Sequence, residues 1–229
     1  MPRTRKAPKF KTVDELIERF GVPPSRILMD PFPGTATEAD VLRYLELADK
    51  KICELIDGTL VEKDMSAEAS YVASILIGYL QGYLRANCNP GMVLGADGTL
   101  KIMPGMVRIP DVSYTSWDRL PGRKVPVAPI PELYPDLAVE VLSPGNTKAE
   151  MAQKRKDYFV SGVSVVWQID PIERTVRVYN TPDDSATYAV GDIVDAAPVL
   201  PDFRVPVADL FANLQTPPPK KRGKANGSR

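Results

Sequence analysis

LAVEVL, residues 137–142, is followed at once by the turn sequence SPGN, residues 143–146, and predicts the central strand of the fold. Five of its six residues are apolar, which is typical of a central strand buried on both faces. Glu140 is the exception, because an ionised carboxylate there is costly unless a metal, a cation or hydrogen-bond donors compensate it. Glu140 is therefore predicted to have a partner, either a metal ion shared with a second acid or a structural salt bridge.

The overall composition is that of an ordinary soluble protein. The chain has 229 residues, of which 44% are hydrophobic and 25% charged. No apolar stretch approaches the roughly 20 residues that cross a bilayer, and the basic start, MPRTR, is not followed by the apolar segment of a secretory signal. We therefore expect a cytoplasmic location, with Cys53 and Cys88 as reduced thiols.

The sequence contains no histidine, the commonest general base and the commonest transition-metal ligand. Ser-His-Asp hydrolysis, Cys-His proteolysis and His-rich zinc sites are therefore excluded. Any catalysis must rest on carboxylates, lysine and a hard metal ion.

The formal net charge of zero hides an uneven distribution along the chain. Residues 1–11 and 220–229 carry five basic side chains each and no acid, which leaves 19 basic against 29 acidic residues elsewhere. Basic arms of this kind often contact nucleic acid electrostatically. For each arm alone, a solubilising and disordered end is an equally good interpretation.

Capping and turn residues place the secondary-structure elements. Thr12 and Glu15 have the spacing of a capping box before a short amphipathic helix that ends at Gly21. The Asp57-Gly58 pair predicts a hairpin between two short strands. Further helices are predicted from Thr37 to about 48, from Ser66 to about 86 and from Thr147 to about 160, and further strands near 92–95, 99–103, 107–115, 137–142, 163–169 and 175–179. This order predicts an α/β (α+β) domain with a mixed β-sheet.

Asp111, in RIPDVSY (residues 108–114), is a second acid that enters a strand pattern. A strand aspartate and a glutamate on a neighbouring strand can together hold Mg²⁺ or Mn²⁺, which take carboxylate oxygens, keep several waters and bind substrate phosphate. Such an ion would serve phosphodiester hydrolysis. Two structural alternatives stay open: Asp111 as a turn residue after Pro110, and Glu140 in a buried ion pair.

Hydrolysis of this kind also needs a cation to position water or to stabilise the charge of the transition state. The strand position two beyond Glu140 is Leu142, so the cation must come from the helix that follows. At 100° per residue, Arg155 lies within the inward face of that helix, Lys154 at its edge and Lys156 away from it. Lys154 and Arg155 are therefore the candidates. The predicted inward stripe consists of Met151, Ala152, Tyr158 and Phe159.

Several motifs in a fixed order resemble one known family. They are ELIDG (54–58), PDVS (110–113), LAVEVLSP (137–144), Lys154 four residues before Tyr158, and WQIDP (167–171). Together they are similar to the Uma-two family of predicted restriction endonucleases, within the PD-(D/E)XK nuclease superfamily. The resemblance covers about residues 37–211. It leaves residues 1–36 as an extension with a short helix and residues 212–229 as a basic tail that we expect to be disordered.

The resemblance implies a restriction-endonuclease-like core, a mixed sheet flanked by helices. It implies that Asp111 and Glu140 bind the metal, Mg²⁺ or Mn²⁺, and that the catalytic lysine has moved from the strand to the helix, at Lys154. The implied function is metal-dependent endonucleolytic hydrolysis of DNA. By their charge, the basic termini, which lie outside the resemblance, are expected to aid DNA binding. A homodimer is a further expectation, because cutting two strands needs two sites.

Two departures from the family pattern support an alternative. Ala69 stands where members commonly carry histidine after a glutamate that matches Glu68, and Arg155 occupies a position that is usually apolar. The alternative is a catalytically silent nuclease-fold module that binds nucleic acid or serves a structural role. A weaker one is a partner-binding protein that acts through the proline-rich segment 121–135.

Overall fold

The structure is a computed structural model, and it describes residues 10–215. Its helices and strands follow the order that the sequence predicts, and the fold is of the expected mixed α/β class. The helices are α1 Val13–Phe20, α2 Glu38–Glu46, α3 Ala67–Ala86, α4 Lys148–Ser161 and α5 Val207–Leu210. The strands are β1 Cys53–Ile56, β2 Thr59–Glu62, β3 Gly91–Leu94, β4 Leu100–Met103, β5 Met106–Arg108, β6 Val112–Ser116, β7 Leu137–Val141, β8 Val165–Asp170, β9 Thr175–Tyr179, β10 Ser185–Ala189, β11 Ile193–Ala196 and β12 Leu200–Pro206.

The main sheet is mixed, as predicted. Its six strands run in the order β10-β9-β8-β7-β6-β3, with β7 and β8 parallel and the other neighbours antiparallel. Helix α4 makes the crossover between β7 and β8, the connection that a parallel pair requires. A four-stranded sheet, in the order β2-β1-β5-β4, and a β11-β12 hairpin complete the β structure.

Strand β7 lies at the centre of the main sheet, and all five of its residues are buried. Because side chains alternate across a strand, Leu137, Val139 and Val141 share one face and Ala138 and Glu140 the other. The first face packs into a large apolar core with α3 and the β11-β12 hairpin. The second face is covered by α4 and by the four-stranded sheet, and these two elements form the surroundings of Glu140.

Local sequence explains where α1 and α4 begin and end. The Thr12 hydroxyl accepts a hydrogen bond from Glu15 N–H, and the Thr147 hydroxyl accepts one from Glu150 N–H. Gly21 and Gly162 follow the two helices with positive φ angles of 65° and 103°, which only glycine adopts without strain. The capping residues were therefore reliable markers of these boundaries.

The predicted strand at 107–115 is wrong in one respect, because it is two strands in two sheets. Val107 pairs with Leu55 in the four-stranded sheet, whereas Val112 pairs with Val139 in the main sheet. Pro110 lies at the junction, where a residue without an N–H cannot continue a ladder. The break places Asp111 between the two sheets.

Residues 10–36, which the sequence sets apart as an extension, contact the rest of the protein closely. The Thr147 hydroxyl donates to the Gly21 carbonyl, and Arg26 forms a buried bidentate ion pair with Glu150 at 2.7 and 2.9 Å. Of the tail predicted to be disordered, residues 212–229, the structure describes 212–215, and residues 216–229 lie outside the described residues. None of the helices within 10–215 combines the length and apolar composition that a bilayer crossing needs.

Candidate active site

Glu140 is held from two sides by residues of α4. The Lys154 ammonium donates to its Oε2 at 3.0 Å, and the Tyr158 hydroxyl donates to its Oε1 at 2.5 Å. The side chains of Glu140 and Lys154 are only 4% and 2% exposed. The partner that the sequence predicted for Glu140 therefore includes a cation from α4.

Asp111 approaches the same place from the junction between the sheets. Its Oδ2 accepts a hydrogen bond of 2.7 Å from the backbone N–H of Val141, the residue after Glu140. Its Oδ1 lies 2.8 Å from the ammonium of Lys63, which follows β2. Asp111 keeps 12% of its side chain exposed, more than Lys63, Glu140 or Lys154. It is the most exposed carboxylate of the cluster.

A third acid, Glu54 on β1, completes the inner side of the cluster. Its Oε1 lies 3.2 Å from Lys154 Nζ and accepts a 3.1 Å hydrogen bond from Ile109 N–H. Its Oε2 accepts from Arg108 at 2.6 Å, and the other end of that guanidinium binds Asp157 on α4. Four carboxylates, of Glu54, Asp111, Glu140 and Asp157, thus share three cations, of Lys63, Arg108 and Lys154.

The charges of this cluster act on one another strongly. Burial raises the pKa of Glu140 above its usual range; Lys154 opposes this rise, and the negative charges of Asp111 and Glu54 add to it. Burial would also raise the pKa of Glu54, but Lys154, Arg108 and the Ile109 N–H together lower it to about 2. The two carboxyls that share Lys154 therefore differ in pKa: Glu54 is firmly ionised, and Glu140 is the carboxyl that is costly to ionise.

Lys154 remains an ammonium in spite of its burial. Burial alone would lower its pKa, but the adjacent charges of Glu140 and Glu54 outweigh that effect and raise the pKa above its usual value. For Tyr158, burial and then the charge of Glu140 raise the pKa well above its usual value, so its hydroxyl is a donor at neutral pH. The site holds one fixed cation and one fixed neutral donor on Glu140.

The donor set suits a hard divalent cation. Within residues 10–215 no group of three or more acidic or cysteine side chains is arranged to hold an ion without help. Mg²⁺, however, is commonly bound through one or two carboxylates, with waters and substrate phosphate as the other ligands. Asp111 and Glu140 would be those two, and the excess of one carboxylate over the cations favours an added positive charge. All four of their oxygens have protein partners in the structure, so a bound ion must displace at least one of these contacts.

Two loops next to the partners of Asp111 contact each other: one begins at Lys63, and the other follows shortly after Val141. The Asp64 carboxylate accepts a 2.8 Å hydrogen bond from Gly145 N–H, and the hydroxyls of Ser66 and Ser143 lie 3.2 Å apart. A Cβ on Gly145 would lie 2.7 Å from Asp64 Oδ1, so glycine is needed for this approach. We call these segments, 63–66 and 143–146, the mouth of the site.

A cleft of about 570 Å³ lies on the other side of α4, next to the mouth. Gln168, the strand partner of Glu140, contributes to its floor, and the Gln168 amide donates to the Met151 carbonyl at 2.9 Å. Its cations are Lys148, Arg155 and Arg177, and its acids are Asp170 and Glu173. The segment 143–146 borders both the mouth and the cleft.

Comparisons with known proteins agree with this architecture. The model of the Uma2 family, whose description is "Putative restriction endonuclease", matches residues 40–208. The chain belongs to this family. A similar solved structure is that of "a putative nuclease belonging to DUF820" from Anabaena variabilis, with a TM-score of 0.64 and 21% sequence identity over 75% of this chain and 96% of that one. A search of curated proteins finds no match.

The Uma2 fold brings Asp111, Glu140 and Lys154 into one cluster, but α4 is oriented differently from the prediction. Its buried residues are Glu150, Met151, Lys154, Asp157 and Tyr158. Lys154 is at the centre of the buried face rather than at its edge, because α4 packs against charged partners on two sides. Arg155 is only half-buried and faces the cleft, where its guanidinium lies 4.3 Å from the Tyr179 ring centroid and its Nε donates to the Pro182 carbonyl.

Four charged residues of the cluster are missing from the predicted site, namely Glu54, Lys63, Arg108 and Asp157. Glu54 did have a signal, since it is a charge inside a short strand pattern and belongs to the ELIDG motif. Arg108 likewise enters a strand pattern two residues before Pro110. Lys63 had no local signal, because a lysine after a strand is ordinarily solvated. Glu68 lies in the first turn of α3 and is half-buried.

Proposed function

We propose that this Uma2-family protein is a metal-dependent endonuclease that hydrolyses phosphodiester bonds of DNA. The observation that carries the proposal is the meeting of two carboxylates, Asp111 from the junction before β6 and Glu140 from the adjacent strand β7, in one cluster with the buried ammonium of Lys154. When bound there, Mg²⁺ or Mn²⁺ would polarise the phosphoryl group and make hydroxide available near neutral pH. Asp111 and Glu140 would be its protein ligands.

Lys154 would act through position and charge. Two of its three N–H groups are directed at Glu140 and Glu54 in the described contacts, which leaves a third donor to orient the attacking water or to stabilise transition-state charge. Tyr158 would keep the Glu140 carboxylate in one orientation by donating to its Oε1. Arg108 would in turn hold the Glu54 carboxylate in place, and Glu54 would then keep the Lys154 ammonium in position.

The cleft beside the mouth supports DNA as the substrate class. Lys148, Arg155 and Arg177 line it, while the Asp170 carboxylate is already engaged by the backbone N–H groups of Ile172 and Glu173. A DNA strand that crosses segment 143–146 would bring one phosphate to the mouth and place its neighbours against these cations. The basic residues at both ends of the sequence would add attraction that carries no sequence information.

A plasmid-cleavage assay with Mg²⁺ or Mn²⁺ tests the proposal. The wild-type protein should nick or linearise the plasmid, and Asp111→Asn and Glu140→Gln should each reduce the rate by about 100-fold or more. Glu46→Gln, at an exposed position of α2, is the matched control and should cleave at the wild-type rate. Equal cleavage by wild type and Glu140→Gln would remove Glu140 from the mechanism.

One observation favours a second candidate function, a catalytically silent nuclease-fold module that binds nucleic acid. Each oxygen of Asp111 and Glu140 already has a partner, so the cluster is self-consistent without a metal. Calorimetric titration with Mn²⁺ separates the two functions. A silent module should bind DNA but show no Mn²⁺ binding that depends on Asp111.

A further inference from the structure

Lys63 is a buried cation in direct contact with the most exposed acid of the candidate site. Its ammonium lies 2.8 Å from Asp111 Oδ1 and donates to the Ala96 carbonyl at 3.1 Å, and its side chain is only 3% exposed. A lysine is rarely buried so completely unless it is paired. The contact with Asp111 therefore accounts for the position of Lys63, and the burial of Lys63 makes that contact strong.

The two lysines of the site are held differently. Lys154 lies between two carboxylates, those of Glu140 and Glu54, and comes from the middle of a 14-residue helix. Lys63 directly contacts one carboxylate and one neutral carbonyl, with the charges of Glu54 and Glu140 farther away, and it lies in the short connection between β2 and α3. Since one directly bound carboxylate holds an ammonium less firmly than two, Lys63 is the more readily displaced of the two lysines.

We propose that Lys63 competes with the divalent ion for Asp111 and so sets the metal affinity of the site. The proposal rests on the metal site of the proposed function: an ion that takes Asp111 Oδ1 as a ligand must displace the Lys63 ammonium from that oxygen. Lys63 is then a positioning residue: it keeps Asp111 compensated and oriented in the metal-free protein. The cost of breaking its contact weakens metal binding.

The location of Lys63 explains how the ammonium could move without disturbing the core. It follows the last residue of β2 directly, and the next residue, Asp64, contacts Gly145 at the mouth. Movement of the Lys63 side chain away from Asp111 needs no change in the main sheet or in α4. The freed ammonium would stay at the mouth, where a substrate phosphate arrives.

Calorimetric titration of the full chain with Mn²⁺ tests the competition directly. Lys63→Met removes the charge and keeps the length, and it should bind Mn²⁺ about tenfold or more tightly than the wild type. Lys63→Arg keeps the charge and should not show this gain. Lys51→Met is the matched control, since Lys51 forms a 2.9 Å pair with Glu62 on the same sheet and should leave the Mn²⁺ affinity unchanged.

The gain in Mn²⁺ affinity of Lys63→Met must also depend on Asp111. In an Asp111→Asn background, Lys63→Met should produce no change in Mn²⁺ affinity, because the contact is already lost. Circular dichroism checks that each variant folds; if Lys63→Met does not, Lys63→Gln carries the same test, since its amide can still donate to the Ala96 carbonyl.

The outcomes separate this inference from the proposed function. If Mn²⁺ binding depends on Asp111 and is equally strong in the wild type, Lys63→Met and Lys63→Gln, the competition by Lys63 is overturned. The proposed metal site is then still supported. Absence of Mn²⁺ binding in the wild type and in both variants would overturn both. Tighter binding by Lys63→Met that persists with Asp111→Asn would also contradict the inference, because the effect would then come from another site.

Discussion

The two faces of β7 differ in what stabilises them. On one face Leu137, Val139 and Val141 pack into an apolar core, where burial of each side chain contributes about 1.5–3 kcal/mol. On the other face Glu140 lies in a cluster of charges that stabilises the fold only while every member is compensated. Stability alone does not require such a face, since well-packed apolar residues in place of a whole buried ionic cluster are often equally stable. The difference between the faces is therefore evidence for a role in chemistry.

The largest expected effect comes from removing the cation of the charged face. Lys154→Met leaves Glu140 and Glu54 buried without their shared partner, and we expect the free energy of unfolding to fall by about 3–5 kcal/mol at neutral pH. Urea unfolding followed by circular dichroism measures it. Lys156→Met, on the exposed side of the same helix, should change stability by less than about 0.5 kcal/mol. A similarly small loss for Lys154→Met would mean that the cluster is not tightly coupled.

Truncation on the apolar face should cost stability without touching the site. Leu137→Ala is expected to lower the free energy of unfolding by about 3 kcal/mol through lost burial and a residual cavity. Its Mn²⁺ affinity, measured by calorimetry below the unfolding transition, should equal that of the wild type. A marked change in affinity would show that the two faces of β7 are not independent.

The smallest expected effect is confined to acid pH and concerns Glu54. Its pKa is lowered to about 2 in the folded protein, against about 4.3 when unfolded, so it contributes stability above pH 4.3 that is lost as the pH falls towards 2. The contribution is at most about 3 kcal/mol. Denaturant unfolding between pH 2 and 5 should show a shallower loss for Glu54→Gln than for the wild type. Identical pH dependence in the two proteins would contradict the lowered pKa.

Much of the fold could be predicted because its signals are local. The capping threonines, the Asp57-Gly58 turn and the apolar run around Glu140 each determine a short element through neighbouring residues. The division of residues 107–115 between two sheets could not be predicted in the same way. Strand partners are chosen by residues far apart in the sequence, and Pro110 marked the junction without saying which strand belonged to which sheet.

The same distinction between local signals and long-range contacts applies to the residues of the site. Asp111 and Glu140 were conspicuous because each is a charge within a strand pattern. The burial of Lys154 was underestimated because apolar periodicity locates only the apolar part of a helix, and α4 also buries charges against Glu54, Arg108 and Glu140. Lys63 belongs to the site through its contact with Asp111, 48 positions away in the sequence, which no local pattern predicts.

The most direct test of the central claim is a crystal structure of the wild-type protein soaked with Mn²⁺, with the ion located by its anomalous scattering. We expect a single strong peak within about 2.0–2.4 Å of carboxylate oxygens from both Asp111 and Glu140, with Lys154 still next to Glu140. A fully occupied peak elsewhere would contradict this expectation. So would a structure at saturating Mn²⁺ in which Lys63 is still paired with Asp111 and Lys154 with Glu140, with no ion bound to either carboxylate.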